Sequence, residues 1–492
     1  MACSAADKEN KEPPIWFKNK KALSNVLYSM RRHSLSSTTQ ERVPLSVFSK
    51  PTTKLQADFT TLTTSLVSDR TSLLSDGILL KILSKIPESQ RTANFLVSKR
   101  WLNLQGRLVR SLKLLDWDFL LSGRLLLRFP NLVRVDLVGG CLVSPRNNSG
   151  ISVSHKTVSF RVGSGNKDWV FNEDSVLSAD EVDRGLRVLA DGFPSLRKLA
   201  VINAGETGLL IVAEECPTLQ ELELRMCNDR VLRGIAACKN LQILRLSGTV
   251  NGLYVSLVSD IGLSIVAKGC KRLVKLELSG CKGSYEGIRA IGQCCVMLEE
   301  LTLCNHEMED GWLLALSYFE NLKSLRFLSC TRIDGGFRAD EHLGFCPAVE
   351  CLFLEKCRIR DKTSLRALFL VCRNVKQLVL KNCWGLTDDM FTTASVLRTI
   401  RMLSLEGCSL LTSQGLETVI ISWNELKSLK VKSCNNIKDD EVVSDVFSSL
   451  KNLKWEPDRK TLVSINLDGT GMGKRGDKFF NKARDWKSLS GS

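Results

Sequence analysis

One short leucine-containing phrase recurs along most of the chain and limits the folds that the chain can adopt. Clear copies read PTLQELELRMC up to Cys227, KRLVKLELSGC up to Cys281, PAVECLFLEKC up to Cys357 and RNVKQLVLKNC up to Cys383. These copies share the spacing LxxLxLxxC, with valine accepted at the first leucine. Because one phrase at one spacing indicates one repeating unit, the 492-residue chain predicts an array that grows lengthwise.

Weaker copies of the phrase extend this array in both directions. The first apolar residues of successive copies are Leu219, Leu241, Leu273, Leu298, Leu322, Val349, Val375, Ile400, Leu426 and Leu450. Most of them lie about 22 to 27 residues apart, which is the period of leucine-rich repeats. Earlier copies begin near Leu132 and Leu196, and a last one near Leu462. The period therefore predicts a repeat domain over residues 116–470.

The segments between the phrases have the pattern of amphipathic helices. SDIGLSIVAKGC and SQGLETVIISWN return apolar residues at three- and four-residue steps and open with a capping candidate. Each repeat thus predicts a strand, a turn and a helix. Stacked repeats give an α/β fold, a curved solenoid with parallel strands on the concave face and helices on the convex face, and this arrangement resembles the ribonuclease-inhibitor-like solenoids. Residues 142–180 and 249–260 break the period and predict inserted loops.

The cysteines follow the repeat rather than a metal-binding pattern. One set precedes the strands (Cys216, Cys238, Cys270, Cys295, Cys346 and Cys372), and another follows them (Cys141, Cys227, Cys281, Cys330, Cys357, Cys383, Cys408 and Cys434). Other repeats place Phe319, Leu397 or Trp423 before the strand, and these side chains cannot ligate a metal. The chain has no CxxC pair. We therefore expect packing cysteines that bond weakly to the turn backbone, with no metal and no cofactor.

The ends of the chain and its charge suggest a location and exclude some functions. Residues 1–70 are rich in Ser, Thr and Lys and predict a disordered arm, and residues 471–492 predict a flexible basic tail. No apolar stretch is long enough to span a bilayer, so we expect a protein of the nucleus, the cytoplasm or both, with no membrane partner.

The net charge of +16 favours anionic partners, but the basic residues are dispersed, which disfavours nucleic acid. The motifs GxSxG and GxxxxGK[ST] are absent, so we expect no catalysis.

A second pattern, over residues 71–115, precedes the repeats. Leu74 opens it, a helical segment runs from Ile78 to Pro87, and FLVSKRW ends at Trp101. Aliphatic residues at helical spacing give this segment an apolar stripe that Ser75 or Asp76 can cap. A self-contained helical bundle is one reading, but about forty residues make a marginal core, which favours docking on another subunit.

Residues 71–115 resemble an F-box, the helical module that binds a Skp-type adaptor. The resemblance implies that adaptor binding involves Leu74, Ile78, Leu79, Ile82, Leu83, Ile86, Pro87, Leu96, Val97 and Trp101. Two residues depart from the family pattern: Ser75 stands where proline is usual and Ser98 where cysteine is usual. The missing proline raises the prospect of a looser helix entry and weaker adaptor binding.

The F-box-like segment and the cysteine-containing repeats together resemble plant-type F-box/leucine-rich-repeat proteins. The resemblance implies a non-catalytic substrate receptor of a Skp–cullin–F-box ubiquitin ligase, joined through the adaptor to a cullin and a ring subunit. Two alternatives stay open. One is a leucine-rich-repeat scaffold without ligase activity, and the other is an F-box-type receptor for a hormone, with an inositol phosphate bound to the basic repeats.

Alignment of the phrases also predicts a target-binding surface. The outward strand positions give one row: Glu223, Arg245, Glu277, Thr302, Arg326, Phe353, Val379, Ser404 and Lys430. Cys304, Leu328, Cys351 and Met402 fall beside this row. We expect an apolar cluster centred on Phe353 and a charged rim, with target contacts by Arg326, Leu328, Cys351, Phe353, Val379, Lys381, Met402 and Lys430. The alternative is that a terminal segment or an inserted loop covers Phe353.

Overall fold

A computed structural model describes residues 70–87, 91, 93–142, 176–250, 253–254, 258–306, 311–331, 344–438 and 450–456. All of these residues belong to one compact unit that begins at Arg70. The predicted arm up to residue 69, residues 143–175 of the first predicted insertion and the predicted tail at 471–492 lie outside the described residues.

The strands form one 13-stranded parallel sheet in which successive repeats are neighbours. Its strands are β1 (Ser111–Lys113), β2 (Arg134–Asp136), β3 (Lys198–Ile202), β4 (Glu221–Arg225), β5 (Ile243–Ser247), β8 (Lys275–Ser279), β9 (Glu300–Cys304), β10 (Ser324–Leu328), β11 (Cys351–Glu355), β12 (Gln377–Lys381), β13 (Met402–Glu406), β14 (Ser428–Lys432) and β15 (Asn452–Glu456). In the predicted insertion at 249–260, the short strands β6 (Thr249–Val250) and β7 (Leu253–Tyr254) pair antiparallel. The fold is an α/β leucine-rich-repeat solenoid, as the period predicted.

Two helices precede the sheet, and a helix follows most of its strands. The helices are α1 (Asp76–Lys85), α2 (Lys99–Leu108), α3 (Trp117–Leu121), α4 (Arg124–Arg128), α5 (Ala179–Gly192), α6 (Glu206–Glu215), α7 (Leu232–Ile235), α8 (Asp260–Gly269), α9 (Tyr285–Cys294), α10 (Trp312–Ala315), α11 (Lys362–Val371), α12 (Asp388–Phe391) and α13 (Ser413–Ile420). Strand leucines such as Leu222 and helix residues such as Leu263 share one continuous apolar core. In the five-residue strands from β3 to β14, the second and fourth residues point into this core. The first, third and fifth residues therefore lie on the opposite side, which we call the outer face.

The turn after most of the strands repeats one backbone conformation. The residue that follows the strand has positive φ in repeat after repeat, as at Met226 (φ 54°), Lys356 (φ 54°) and Ser433 (φ 54°). Its N–H donates to the last carbonyl of the next strand, for example from Met226 to Ser247 over 2.9 Å. A left-handed residue reverses the chain there while extending the hydrogen bonding of the sheet by one step.

The cysteines pack as the sequence predicted. After the strands, the Cys357 Sγ donates to the Phe327 carbonyl over 3.4 Å, and the Cys383 Sγ donates to the Leu354 carbonyl over 3.4 Å. Before a strand, the Cys346 Sγ donates to the Phe319 carbonyl over 3.4 Å. Burial raises the pKa of the Cys346 thiol to about 12, which keeps it protonated and able to donate. These weak bonds link each repeat to its neighbour.

An aspartate ladder, not foreseen from the sequence, joins the helix starts of neighbouring repeats. The Asp229 carboxylate accepts hydrogen bonds from the N–H groups of Ser259 (2.7 Å) and Gly262 (3.1 Å) at the start of α8. Asp260 does the same at the start of α9, and Asp388 accepts the Thr412 N–H at the start of α13. A Cβ added at Gly262 would lie 2.2 Å from the Asp229 carboxylate, so only glycine fits there.

We predict that Asp229→Ala lowers the free energy of unfolding by about 1–3 kcal/mol, because it leaves the N–H groups of Ser259 and Gly262 without their acceptor. Urea unfolding followed by circular dichroism measures the change. Asp191→Ala, at an exposed position late in α5, is the matched control and should change stability by less than about 0.5 kcal/mol. Equal stability of the two variants would show that the ladder does not join the repeats.

Candidate partner-binding surfaces

The F-box-like segment is built around a small apolar core of its own. Leu79 and Leu83 of α1 are buried against Leu104 of α2. Ser75 begins α1, because its side chain accepts a hydrogen bond from the Ile78 N–H over 3.4 Å. The serine that replaces the usual proline thus supplies a helix cap, which offsets the looser entry expected from losing the proline.

Arg100 ties the start of this segment to α2. Its guanidinium makes hydrogen bonds of 2.9 and 2.7 Å to the Asp76 carboxylate. It also donates to the carbonyls of Thr71 over 3.0 Å and Leu74 over 2.5 Å. Trp101 is half-buried, and its indole N–H donates to the Thr71 hydroxyl over 3.3 Å. Trp101 thus holds the segment together in addition to any contact with a partner.

Only some of the adaptor-binding residues named from the sequence reach the surface. Leu79 and Leu83 are 1% and 0% exposed, so these two assignments need correction: the side chains fill the core against Leu104 and cannot contact a partner. Ile78 and Ile82, one helical turn apart, are 49% and 43% exposed.

The other adaptor-binding residues named from the sequence also divide into exposed and partly buried side chains. Leu96 and Val97 are exposed, and Pro87 is exposed beside Ile82 and Ile86 in a shallow apolar pocket. Leu74 and Ile86 are partly buried against the small core. Leu73, which the sequence interpretation omitted, is 85% exposed. The family pattern points to Leu74, but it does not show whether Leu73 or Leu74 turns outward.

The outer face of the sheet carries the predicted row of residues in register. We call the third residues of the strands the middle row, with the first and last rows on either side. Arg326 pairs with Thr302 on one side and with Phe353 on the other, and the row continues through Val379, Ser404 and Lys430. The alignment of the phrases therefore predicted the neighbours on this face correctly.

In strands β3–β9 the charges of the outer face neutralise one another. Glu221 lies 2.8 Å from Lys198 and also pairs with Arg245, whose guanidinium lies 3.5 Å from Glu277. Although burial raises the pKa of Glu221, hydrogen bonds from Lys198 and Arg245 hold it below its usual value. Glu223, 2.8 Å from Arg225, has a raised pKa because burial outweighs that cation.

In strands β10–β14 the outer face is more apolar. The guanidinium of Arg326 lies over the ring of Phe353, 4.4 Å from its centroid. Phe353 is therefore covered by Arg326, whereas the sequence interpretation placed Arg326 at the rim of an open aromatic. Leu328, Cys351, Val379 and Met402 are all half-buried around this pair. Residues at 143–175, 332–343 and 457–492 lie outside the described chain, so the predicted alternative of a covering segment stays a prediction.

The cations of this part of the face differ in their surroundings. Lys381 lies 3.8 Å from Glu355 and 3.9 Å from Glu406. Lys430 pairs in register with Lys454, and within the described ranges neither ammonium has an ion-pair partner. The surface thus offers an apolar centre and cations without nearby counter-charges.

The described part of the chain has neither a metal-binding cluster nor a membrane-spanning helix. It contains no group of three or more His, Cys, Asp or Glu side chains arranged to hold a metal ion. None of its helices is both long and apolar enough to cross a membrane.

The sheet and its helices define the class of protein: a leucine-rich-repeat solenoid with an F-box-like helical segment at its beginning. No protein-family model matches the chain. BTB/POZ domain-containing protein FBL11 of Arabidopsis thaliana is 22% identical over 322 residues, covering 56% of this chain and 34% of that protein. Protein EEED8.10 of Caenorhabditis elegans, whose name describes it as RNA-binding, is 24% identical over 251 residues, covering 44% of this chain and 33% of that protein.

The chain thus aligns with about a third of the length of these curated relatives. Among solved structures, a chain of the yeast Rad7 and Elc1 complex is 16% identical with a TM-score of 0.37, covering 90% of this chain and 92% of that one. An internalin (inlF) of Listeria monocytogenes is 17% identical with a TM-score of 0.27, covering 46% and 57%.

We predict that Arg326 and Phe353 stabilise each other by about 0.5–2 kcal/mol. A double-mutant cycle with Arg326→Met and Phe353→Leu, measured by urea unfolding, gives this coupling energy. Arg373 lies 4.0 Å from the Phe345 centroid, and its more exposed position makes it a matched control at the lower end of that range. Additive effects of Arg326→Met and Phe353→Leu would show that the two side chains are close without interacting.

Proposed function

We propose that the chain is the substrate-recognition subunit of a Skp–cullin–F-box ubiquitin ligase. The F-box-like segment binds a Skp-type adaptor, which brings the cullin and the ring subunit, and the repeats hold a target protein. The observation that carries this proposal is the exposed aliphatic ridge of Ile78 and Ile82 on a segment whose own core, built on Leu79, Leu83 and Leu104, is already closed.

Exposed aliphatic side chains on a closed core favour a binding role for the ridge. Ile78 and Ile82 lie on one helix face, and each leaves more than two-fifths of its surface in solvent. Aliphatic residues at a spacing of four on a helix suit docking into a groove of another protein. The helix that carries them is fixed by the Ser75 cap and the Arg100 contacts, so little ordering is needed when a partner binds.

The activity of such a subunit is proximity rather than chemistry. A target held beside the charged ubiquitin-conjugating enzyme reacts as though the transfer were intramolecular. No residue of this chain is then required to be catalytic, and no cofactor is required. The complex operates in the nucleus, the cytoplasm or both.

Two other functions fit parts of the same surface. A scaffold would use the repeats alone and would leave Ile78 and Ile82 without a partner. A small-molecule receptor would place an anionic ligand on the basic repeats. Purification of the tagged chain separates the scaffold from the other two functions, because a scaffold recovers neither a Skp-type adaptor nor a cullin. Native mass spectrometry of the purified chain separates the receptor, because only the receptor retains a bound phosphate ligand.

We predict that Ile78→Asp combined with Ile82→Asp lowers adaptor recovery by at least about tenfold, since two buried anchors become charges at the interface. Co-purification from cells expressing the tagged full chain measures the loss. Ile261→Asp combined with Ile421→Asp changes two comparably exposed isoleucines on the repeats and should leave recovery unchanged. Undiminished recovery with the first pair, in a chain of normal thermal stability, excludes the F-box role.

A further inference from the structure

The two halves of the outer face differ in how their charges are balanced. In β3–β9, every charged outer-face residue lies in an ion pair, as shown by Lys198 with Glu221, Arg225 with Glu223, Arg245 with Glu221 and Glu277, and Lys275 with Glu300. In β10–β15, the middle row holds Arg326, Lys430 and Lys454. Among the described residues, none of these three has a carboxylate oxygen within 4.0 Å. Strands β10–β15 are therefore the part of the outer face where the negative charge of a binding partner would meet cations that have no ion-pair partner among the described residues.

Arg326 is the cationic position with an aromatic neighbour. Its guanidinium lies over the Phe353 ring, 4.4 Å from the centroid, and its Nε–H is buried without a hydrogen-bond acceptor in the described structure. A planar guanidinium held in this way is well suited to bind a carboxylate with two parallel hydrogen bonds. A carboxylate from a partner would give this half-buried charge its counter-charge.

Lys430 and Lys454 form a second cationic position on adjacent strands. Their Cα atoms pair in register on β14 and β15, so the two side chains leave the sheet roughly 5 Å apart. Ser404 lies beside Lys430 in the same row and adds a hydroxyl donor. Two neighbouring ammonium groups repel each other, and an anion placed between them removes that repulsion.

The surface between these positions is mostly apolar. Phe353 and Val379 continue the middle row, and the first row holds Cys351 and Met402 with the exposed Gln377 between them. The carboxylates of this region are confined to the last row, where Lys381 lies within 3.9 Å of both Glu355 and Glu406. An acidic ligand therefore avoids repulsion by lying along the first and middle rows.

The spacing of the strands sets the distance between the two acidic groups of a matching ligand. Arg326 on β10 and Lys430 on β14 are four strand steps apart, or roughly 19 Å at about 4.8 Å per step. An extended chain advances about 3.3 Å per residue, so this distance spans about six residues. We propose that the outer face binds an extended target segment carrying two acidic side chains about six residues apart with apolar residues between them. The inference rests on the proposed role of the repeats as a target receptor.

Peptide selection on the immobilised full-length chain tests this ligand, with a phage-displayed library of random twelve-residue peptides as the probe. We expect enrichment of peptides with Asp or Glu five to seven residues apart and an aliphatic or aromatic residue between them. A synthetic copy of an enriched peptide should bind about tenfold more weakly to Arg326→Gln and to Lys430→Gln, because each variant loses a charge-assisted contact.

Lys427→Gln is the matched control for Lys430→Gln, since Lys427 lies just before β14 and is exposed. It should bind the peptide as the unchanged chain does, and thermal unfolding should show that all three variants are folded. Enriched peptides without the paired acids, no enrichment, or equal affinity for all variants would overturn the proposal. Binding of inositol hexakisphosphate that depends on Lys430, without peptide selection, would also overturn it and indicate a small-anion site.

The peptide experiment and the adaptor experiment fail independently. Selection uses no adaptor, so a chain that binds acidic peptides but no adaptor would keep this inference and lose the ligase role. A chain that recovers the adaptor but selects no such peptide would keep the ligase role and lose this inference.

Discussion

The backbone hydrogen bond from the left-handed residue after most strands is the interaction on which the rest of the structure depends. It continues the sheet beyond the last strand residue and reverses the chain towards the helix, as at Met226 and Lys356. Once this turn is fixed, the following cysteine is placed where its Sγ reaches a carbonyl of the preceding repeat. The helix start then falls within reach of the preceding aspartate, as at Asp229. Each repeat is thereby positioned by its neighbour.

The parts of the structure that follow from periodicity could be predicted from the sequence. Strand side chains alternate between two faces, so aligning the leucines of successive phrases also aligns the outward residues between them. The neighbour relations of Arg326, Phe353 and Val379 came from this alignment alone. The burial of the cysteines followed because apolar residues replace them in other repeats.

Other parts could not be predicted because periodicity does not distinguish them. Helix α1 carries aliphatic residues on more than one side, and only the position of Leu104 on α2 decides that Leu79 and Leu83 are buried while Ile78 is exposed. The stacking of Arg326 on Phe353 depends on the conformations of two long side chains, which the strand register leaves open. The aspartate ladder has a sequence signal, which is a Ser or Thr three residues before a helical glycine such as Gly262. The same spacing is typical of ordinary helix capping, so the sequence alone does not reveal the aspartate.

The alternation of buried and outward residues on each strand has a consequence for how such a protein can diverge. Residues of the middle row contribute to the outer face, whereas the core is formed by their strand neighbours, such as Leu352 and Leu354 beside Phe353. A mutation in this row changes the chemistry of the outer face while the packing of the repeat is preserved. Gene duplication followed by drift in a single row of side chains would therefore produce paralogues with different outer faces on an unchanged scaffold.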